Sequence, residues 1–232
     1  MTSSEVFPVA PVHGRTVLLA GGTSTAGRAC ARALLAAGAT VIVVGSHEGR
    51  LAELATDMPG VRTERCDLTD ADAVDALVDR VHTAHGRVDG LLHLVGGWRG
   101  GGGLAGQSDD DFAFLMRSLT ALRLVSRAFD DDLRASPAGR LAIVSSTSVT
   151  RPLAGGANYA AVKAASEAWT RAIAQGFAKD ARDGGREPSA AAVVFRVRSL
   201  AGLEDALAAA FVGLWGDPAV DINDVTIELA EA

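Results

Sequence analysis

The sequence predicts an α/β protein: a doubly wound, seven-stranded parallel sheet with helices on both faces. Three observations predict it. Seven short runs rich in Val, Leu and Ile alternate with segments of helical composition along the chain. The runs lack the polar alternation of half-solvated strands, so they read as strands buried on both faces. Each is separated from the next by a segment that can carry a helix, which favours parallel pairing through right-handed crossovers.

Residues 1–13 read as an N-terminal tail and 14–232 as a single domain, since 232 residues form one core without demanding a second. "RTVLLA" is the first strand. "AGRACARALLAAG" is the first helix, stopped at Gly38. "TVIVVG" is the second strand, "EGRLAELAT" a short helix and "VRTERC" the third strand. "DADAVDALVDRVHTAHG" is an amphipathic helix with Ala73, Leu77 and Val81 on one face. "GLLHLVGG" is the fourth strand, "DDDFAFLMRSLTALRLVSRAFDDDL" one long helix and "GRLAIVSS" the fifth strand. "NYAAVKAASEAWTRAIAQGFAKD" is a second long helix, "SAAAVVFRVRSL" the sixth strand, "LEDALAAAFVGLW" a helix and "DVTIEL" the seventh strand. Two segments interrupt the rhythm. "GGWRGGGGLAG", Gly96 to Gly106, follows a strand, so it is expected on the ligand side as a substrate wall, too glycine-rich to be rigid. "ARDGGREPSA", Ala181 to Ala190, follows a helix and reads as a plain linker.

Composition narrows the function classes. A net charge of −6 with no Lys/Arg block argues against a nucleic-acid surface. The N-terminal segment has neither a basic region nor an apolar core, so it is not read as a secretion signal. No run approaches the ~20 apolar residues of a membrane span, and a cytoplasmic location is expected. Cys30 and Cys66 lack metal-ligand spacing and read as buried small hydrophobes.

The chemistry concentrates in Ser146, Tyr159 and Lys163. Tyr159 is the only tyrosine, and Lys163 lies four residues on, one helical turn along the same face. An ammonium beside a phenol favours phenolate and is expected to lower its pKa toward a useful range. Such a tyrosine exchanges a proton with a carbonyl or alcohol oxygen near neutral pH. Ser146, at the end of the fifth strand, can hydrogen-bond the same oxygen. A second feature, "AGGTSTAGRA" from Ala20 to Ala29, joins the first strand to the first helix, although Gly21, Gly22 and Gly27 do not make G-x-G-x-x-G. A helix N-terminus at such a turn can meet a phosphate with its free N–H groups.

From about Gly14 to Leu229 the chain resembles the short-chain dehydrogenases/reductases, through "GRLAIVSSTSV", "ANYAAVKAASEAWTRAIA" and the strand–glycine loop–helix opening. The resemblance implies a Rossmann-type fold, a nicotinamide cofactor and hydride transfer to or from a small carbonyl or alcohol substrate. It implies Tyr159 as general acid/base, Lys163 on the nicotinamide ribose and Ser146 on the substrate oxygen. The family's T-G-x-x-x-G-x-G loop falls on Ala20 to Gly27, with Thr25 in place of the middle glycine. Gly21, Thr23, Ser24, Thr25, Ala26 and Gly27 would then surround the pyrophosphate. The family's N-N-A-G falls on His93-Leu94-Val95-Gly96. His93 is either a substitute donor or a plain strand residue, and Val95 and Gly96 would lie beside the adenosine ribose. Ser118 occupies the place of the family's active-site Asn. Asp67, with Leu68 after it, matches the acid that contacts adenine, or else forms a turn before the next helix.

No acid ends the second strand; Ser46 and His47 stand there, with Arg28 or Arg50 nearby, so the cofactor reading is NAD(P), leaning to NADP(H). The family's Pro-Gly after the sixth strand and its lid are missing around Val197, Arg198 and Ser199, which predicts an open site. Arg196 and Arg198 share a strand face, to meet an anionic ligand or to pair with acids. Two other readings remain: a dihydropteridine-type reductase, whose relatives also lack the lid, and a non-catalytic dinucleotide-binding module for redox sensing or scaffolding. The family implies a homodimer or homotetramer through the two long helices, with Phe112, Leu115, Leu119 and Leu122 on one and Ala161, Ala165, Ala168 and Trp169 on the other.

Overall fold

The computed structural model describes residues 11–230. Residues 1–10 of the expected tail lie outside the described residues, whereas Val12 is fully buried in the core. Seven strands form one parallel sheet in the order β3-β2-β1-β4-β5-β6-β7. They are β1 (Thr16–Ala20), β2 (Thr40–Gly45), β3 (Arg62–Arg65), β4 (Gly90–His93), β5 (Arg140–Ser146), β6 (Ala191–Val197) and β7 (Thr226–Glu228).

The helices are α1 (Thr25–Ala36), α2 (Glu48–Asp57), α3 (Ala71–His85), α4 (Asp109–Ala128), α5 (Asp130–Ala135), α6 (Ala157–Asp183), α7 (Glu204–Gly213) and α8 (Ala219–Ile222). Each face of the sheet has its own apolar core. Leu34 of α1, Leu54 of α2 and Phe211 of α7 meet Val17, Val43 and Phe195 on one side. Leu77 of α3, Leu122 of α4 and Phe177 of α6 meet Leu18, Ile42 and Ile143 on the other. Successive strand residues alternate between the two cores, so every position of a central strand is apolar.

Three details differ from the sequence reading. The edge strands are not buried: β3 exposes Arg62 and Arg65, and β7 exposes Thr226 and Glu228. An edge strand has a neighbour on one side only, and charged residues there discourage pairing with another chain. The long fourth helix is two helices, α4 and α5, broken at Phe129 with φ −106°. Phe129 is fully buried, and the break turns the following acidic run, Asp130 to Asp132, into the first turn of α5. There carboxylates favour the positive helix end. In α3 the fully packed face is Val74, Leu77 and Val81, with Ala73 partly exposed.

The strand order reverses between β1 and β4, which diverge in chain direction of winding at Ala20 and His93. A crevice opens where crossovers leave in opposite directions from neighbouring strand ends. The loops after β1, β2, β3, β4 and β6 and the end of β5 all reach it.

Candidate active site

The turn after β1 owes its shape to two glycines. Gly21 has φ +77°, and a Cβ there would stand 2.9 Å from Val95 Cγ2 and Val95 N. At Gly27 a Cβ would come within 2.1 Å of the Gly22 carbonyl oxygen, so α1 can approach the turn only without a side chain. Thr25 is the first residue of α1 and needs no left-handed backbone, which explains why threonine is accommodated at the missing glycine. Ser24 caps the helix, its Oγ accepting from Gly27 N at 3.2 Å. That bond leaves the Ser24 O–H free to donate outward.

The crevice has two parts. One, a cavity of about 400 Å³, is lined by Gly21, Thr23, Ser24, Ser46, His47, Arg50, Asp67, Leu68, Val95, Gly96, Phe114, Arg117 and Ser118, among others. The second, about 350 Å³, is lined by Ser24, Thr25, Ala26, His93, Val95, Gly96, Trp98, Ser145, Tyr159, Lys163, Arg198 and Glu204, among others. Ser24 and Leu94 to Gly97 border both, so the two parts meet over the N-terminus of α1. The sequence-predicted residues therefore converge, with two exceptions. Gly27 lies beneath the turn as a packing residue, and Ser146 is buried beside Tyr159 rather than lining the wall.

Around the first part the expected roles sort themselves. Asp67 Oδ1 accepts from Thr69 N at 3.0 Å and Thr69 Oγ1 at 2.7 Å, and these bonds hold its carboxyl below the usual range. It forms the turn as well as lining the cavity; the cap of α3 is Asp70. Arg28 does not face the crevice, because its guanidinium is held by Asp57 at 2.7 Å and Glu53 at 3.6 Å. Arg50 does face it, with the exposed Ser46 and His47.

In the second part, α6 presents Tyr159 and Lys163 one turn apart. Lys163 Nζ donates to the Val144 carbonyl at 2.7 Å and lies 5.7 Å from the centre of the Tyr159 ring. The ammonium sits beside the ring and its hydrogen bond goes to the backbone, so the expected lowering of the phenol does not appear. Burial instead raises the Tyr159 pKa above its ordinary value, opposed by the Ser146 hydroxyl. Burial also pulls Lys163 down from 10.5 to about 8, against the charge of Glu167. Tyr159 is thus a neutral phenol near pH 7, able to give a proton to a carbonyl oxygen. Ser146 Oγ accepts from Ser148 N at 3.2 Å and Ser148 Oγ at 2.9 Å.

His93 serves as a donor: its Nε2 bonds the Ser118 carbonyl at 3.1 Å, which makes Nε2 the protonated nitrogen. Nδ1 is buried with no partner among the described residues. Burial, then the charge of Lys163, pushes the imidazole down to about 3, although the bond to Ser118 opposes this. The Ser118 hydroxyl is turned back onto the Leu115 carbonyl at 2.7 Å. In the described geometry it offers its own helix, not the crevice, a donor.

The glycine-rich segment after β4 supplies Gly97 and Trp98 to the wall, and it is better anchored than its composition implies. Gln107 Nε2 reaches the carbonyls of Gly101 (3.0 Å), Gly103 (3.2 Å) and Gly155 (3.1 Å). Its Oε1 accepts from Asn158 N at 3.1 Å, tying the loop to the residue before Tyr159. Across the crevice, β6 passes to α7 through residues 198–203 alone, with Gly202 at φ +86°. On that side the wall among the described residues is this short connection and the first residue of α7, Glu204. Arg196 pairs with Glu167 (2.8 Å) and Glu228 (3.6 Å), whereas Arg198 points into the crevice wall. Sequence reasoning missed Glu167 and Gln107. Glu167 was visible as a third rung of the Tyr159–Lys163 ladder; Gln107 left no local signal, since its partners are distant carbonyls.

Comparison with known proteins gives three results. A family model described as short chain dehydrogenase matches residues 15–181. The chain is 34% identical over 172 residues, 70% of its length, to a Mycobacterium tuberculosis reductase of a hydroxy-methyl-oxo-hexahydroindene-carboxyl-CoA. That match spans 65% of the relative's own length. The 3-oxoacyl-acyl-carrier-protein reductase FabG of Vibrio harveyi is 27% identical over 165 residues, 71% of this chain and 68% of that protein. Among solved structures, a short chain dehydrogenase from Pseudomonas syringae superposes with TM-score 0.83 at 24% identity, covering 98% of this chain and 99% of that one. One from Shigella flexneri, complexed with NADP, gives 0.83 at 20% identity, covering 95% and 99%. At these identities the structural likeness shows the fold alone.

Proposed function

The chain belongs to the short-chain dehydrogenase family, and on that premise we propose that it is an NAD(P)-dependent oxidoreductase acting on a carbonyl or alcohol. The observation that carries this reading is Tyr159 and Lys163 side by side in a crevice that continues over the N-terminus of α1. The residues fit a dinucleotide. The tight left-handed turn at Gly21, the free N–H groups of α1 and the Ser24 hydroxyl suit a pyrophosphate at the junction of the two cavities. When bound, a nicotinamide cofactor supplies or accepts the hydride. Lys163 holds ribose hydroxyls, and Tyr159 donates its phenolic proton to the carbonyl oxygen, or takes it back in the reverse direction. Ser146, buried behind Tyr159, would act through the phenol hydroxyl that meets that oxygen.

NADP(H) is the preferred cofactor. Ser46, His47 and Arg50 line the end of the crevice beyond β2, where a carboxylate would repel a 2′-phosphate. For the substrate, the named relatives are reductases of CoA-linked and carrier-protein-linked compounds, which favours a carbonyl compound borne on a thioester. The open β6–α7 side leaves room for such a carrier. A dihydropterin is the second substrate, favoured by the flat Trp98 ring on the wall. Two buried free thiols suit a reducing, cytoplasmic compartment. Pairing across α4 and α6 into a homodimer or homotetramer completes the proposal.

The test is NADPH or NADH oxidation with acetoacetyl-CoA and with quinonoid dihydropterin. Tyr159→Phe should lower kcat about 10²–10⁴-fold, the usual worth of a positioned acid, while NADPH still binds. NADPH binding without turnover on any carbonyl, unaffected by Tyr159→Phe, would instead establish the non-catalytic module.

A further inference from the structure

Below Lys163, on the side away from the crevice, lies a buried carboxylate that the reaction itself does not use. Glu167 is one turn further along α6 and 1% exposed. Its Oε1 accepts from Ser145 Oγ at 2.6 Å and from Arg196 Nε at 3.1 Å, and its Oε2 from Arg196 Nη2 at 2.8 Å. Ser145 and Arg196 face each other in the β5–β6 register. Val144, which accepts from Lys163, immediately precedes Ser145. Lysine and glutamate are therefore moored to consecutive residues of one strand, at a fixed separation. A buried charge without such bonds would neutralise. Burial by itself raises the Glu167 carboxyl, but the bonds from Arg196 and Ser145 and the charges of Arg196 and Arg171 hold it below its ordinary value.

We propose that Glu167 is a positioning residue for Lys163: a clamped carboxylate that keeps the lysine cationic where the cofactor ribose and the Tyr159 phenol need a positive charge. The proposal rests on the reading of Lys163 given above. The groups around Lys163 are Tyr159 and Glu167 on α6, His93 on β4, Arg196 on β6 and Arg171 on α6, both paired with Glu167, and Arg198 and Glu204 across the crevice. Tyr159 and His93 are neutral near pH 7, and Arg171 and Arg196 are paired with the Glu167 carboxylate itself. Glu167 is the nearby group that favours the charged lysine, and it offsets part of the burial that draws Lys163 down to about 8.

Lys163 and Lys179 are the only lysines in the chain. Protein labelled with [6-¹³C]lysine therefore gives two side-chain signals, with the exposed Lys179 as internal reference. In the parent protein the Lys163 signal should titrate near pH 8. In E167Q its midpoint should fall by at least about one pH unit, a tenfold loss of proton affinity; E167D, which retains the charge, should restore most of it. The alkaline limb of kcat/KM for acetoacetyl-CoA should move down with it. A midpoint unmoved in E167Q overturns the proposal. Should E167Q fail to fold, R196Q carries the test: without its two bonds from Arg196 the buried Glu167 carboxylate neutralises, so the Lys163 midpoint should fall as in E167Q, and an unmoved or raised one overturns the proposal. The titration needs no turnover, so failure to reduce any carbonyl would sink the enzymatic reading without deciding this one.

Discussion

His93 sets a pH dependence that can be read from one side chain. Its imidazole is held near 3 in the fold by burial and by the Lys163 charge, against about 6.5 in an unfolded chain. Between those values the unfolded chain binds a proton that the folded one refuses, so stability is present above pH 6.5 and lost as pH falls. The slope approaches about 1.4 kcal/mol per pH unit below 6.5. Urea unfolding at pH 8, 6.5 and 5 should show that slope in the parent protein. His93→Leu should flatten it while costing about 1–3 kcal/mol at pH 8, because the Ser118 carbonyl loses its donor. An equal slope in both proteins would place the acid sensitivity elsewhere. Gly27 teaches a different lesson at the same scale. Its backbone angle is ordinary, and what excludes a side chain is a carbonyl oxygen 2.1 Å from where Cβ would sit.

Elements differ in how much of their placement is local. Helix α1 starts on its own cap at Ser24, and α3 starts on Asp70, whose Oδ1 accepts from Asp72 N and Ala73 N. The segment between β4 and α4 has no such local order and borrows it from Gln107, which spans from the glycine carbonyls to the entry of α6. Removing that side chain should loosen the Trp98 wall without touching the reacting groups. Gln107→Ala should raise KM for acetoacetyl-CoA about 5-fold or more, equal to roughly one lost hydrogen bond at about 1 kcal/mol, and leave kcat within about twofold. Limited proteolysis should cut the 96–106 segment faster. A fall in kcat alone, with the loop still protected, would contradict this role. The split of α4 from α5 falls at Phe129, which continues the buried face of Leu122 and Val125 and is itself fully buried.

At the scale of the molecule, the two long helices divide their apolar residues between two tasks. Leu115 and Leu122 of α4 are buried in the sheet-side core, whereas Phe112, Ala161 and Ala168 are exposed, and Leu119, Ala165 and Trp169 are half-buried. Trp169 is tethered through Nε1 to Ser126 Oγ at 3.0 Å, with Arg123 over its ring. The outer residues form the surface proposed for self-association. Light scattering should give a mass two or four times 23.8 kDa. Phe112→Asp with Ala168→Arg should return the monomer mass with the fold intact, and a parent protein already monomeric would remove the dimer proposal. Among the described residues no helix is long and apolar enough to cross a membrane, and no group of three metal-ligating side chains occurs.

The sequence by itself determined seven strands along the chain and their parallel pairing, and its family resemblance implied that Gly21, Ser24, Tyr159 and Lys163 serve one site. The strands follow from hydrophobic runs and the helices between them, and the Tyr159–Lys163 pair from the four-residue spacing of a helix face, all of which are local in the chain. Only the tertiary structure decided what each ionisable group experiences. It showed that Arg28 is spent on Asp57 and Glu53 while Arg50 faces the crevice. It placed Glu167 against a serine and an arginine from neighbouring strands, and it raised the Tyr159 phenol that spacing alone expected to be lowered. Burial and through-space charge arise from residues far apart in the chain, and a protonation state answers to them rather than to sequence neighbours.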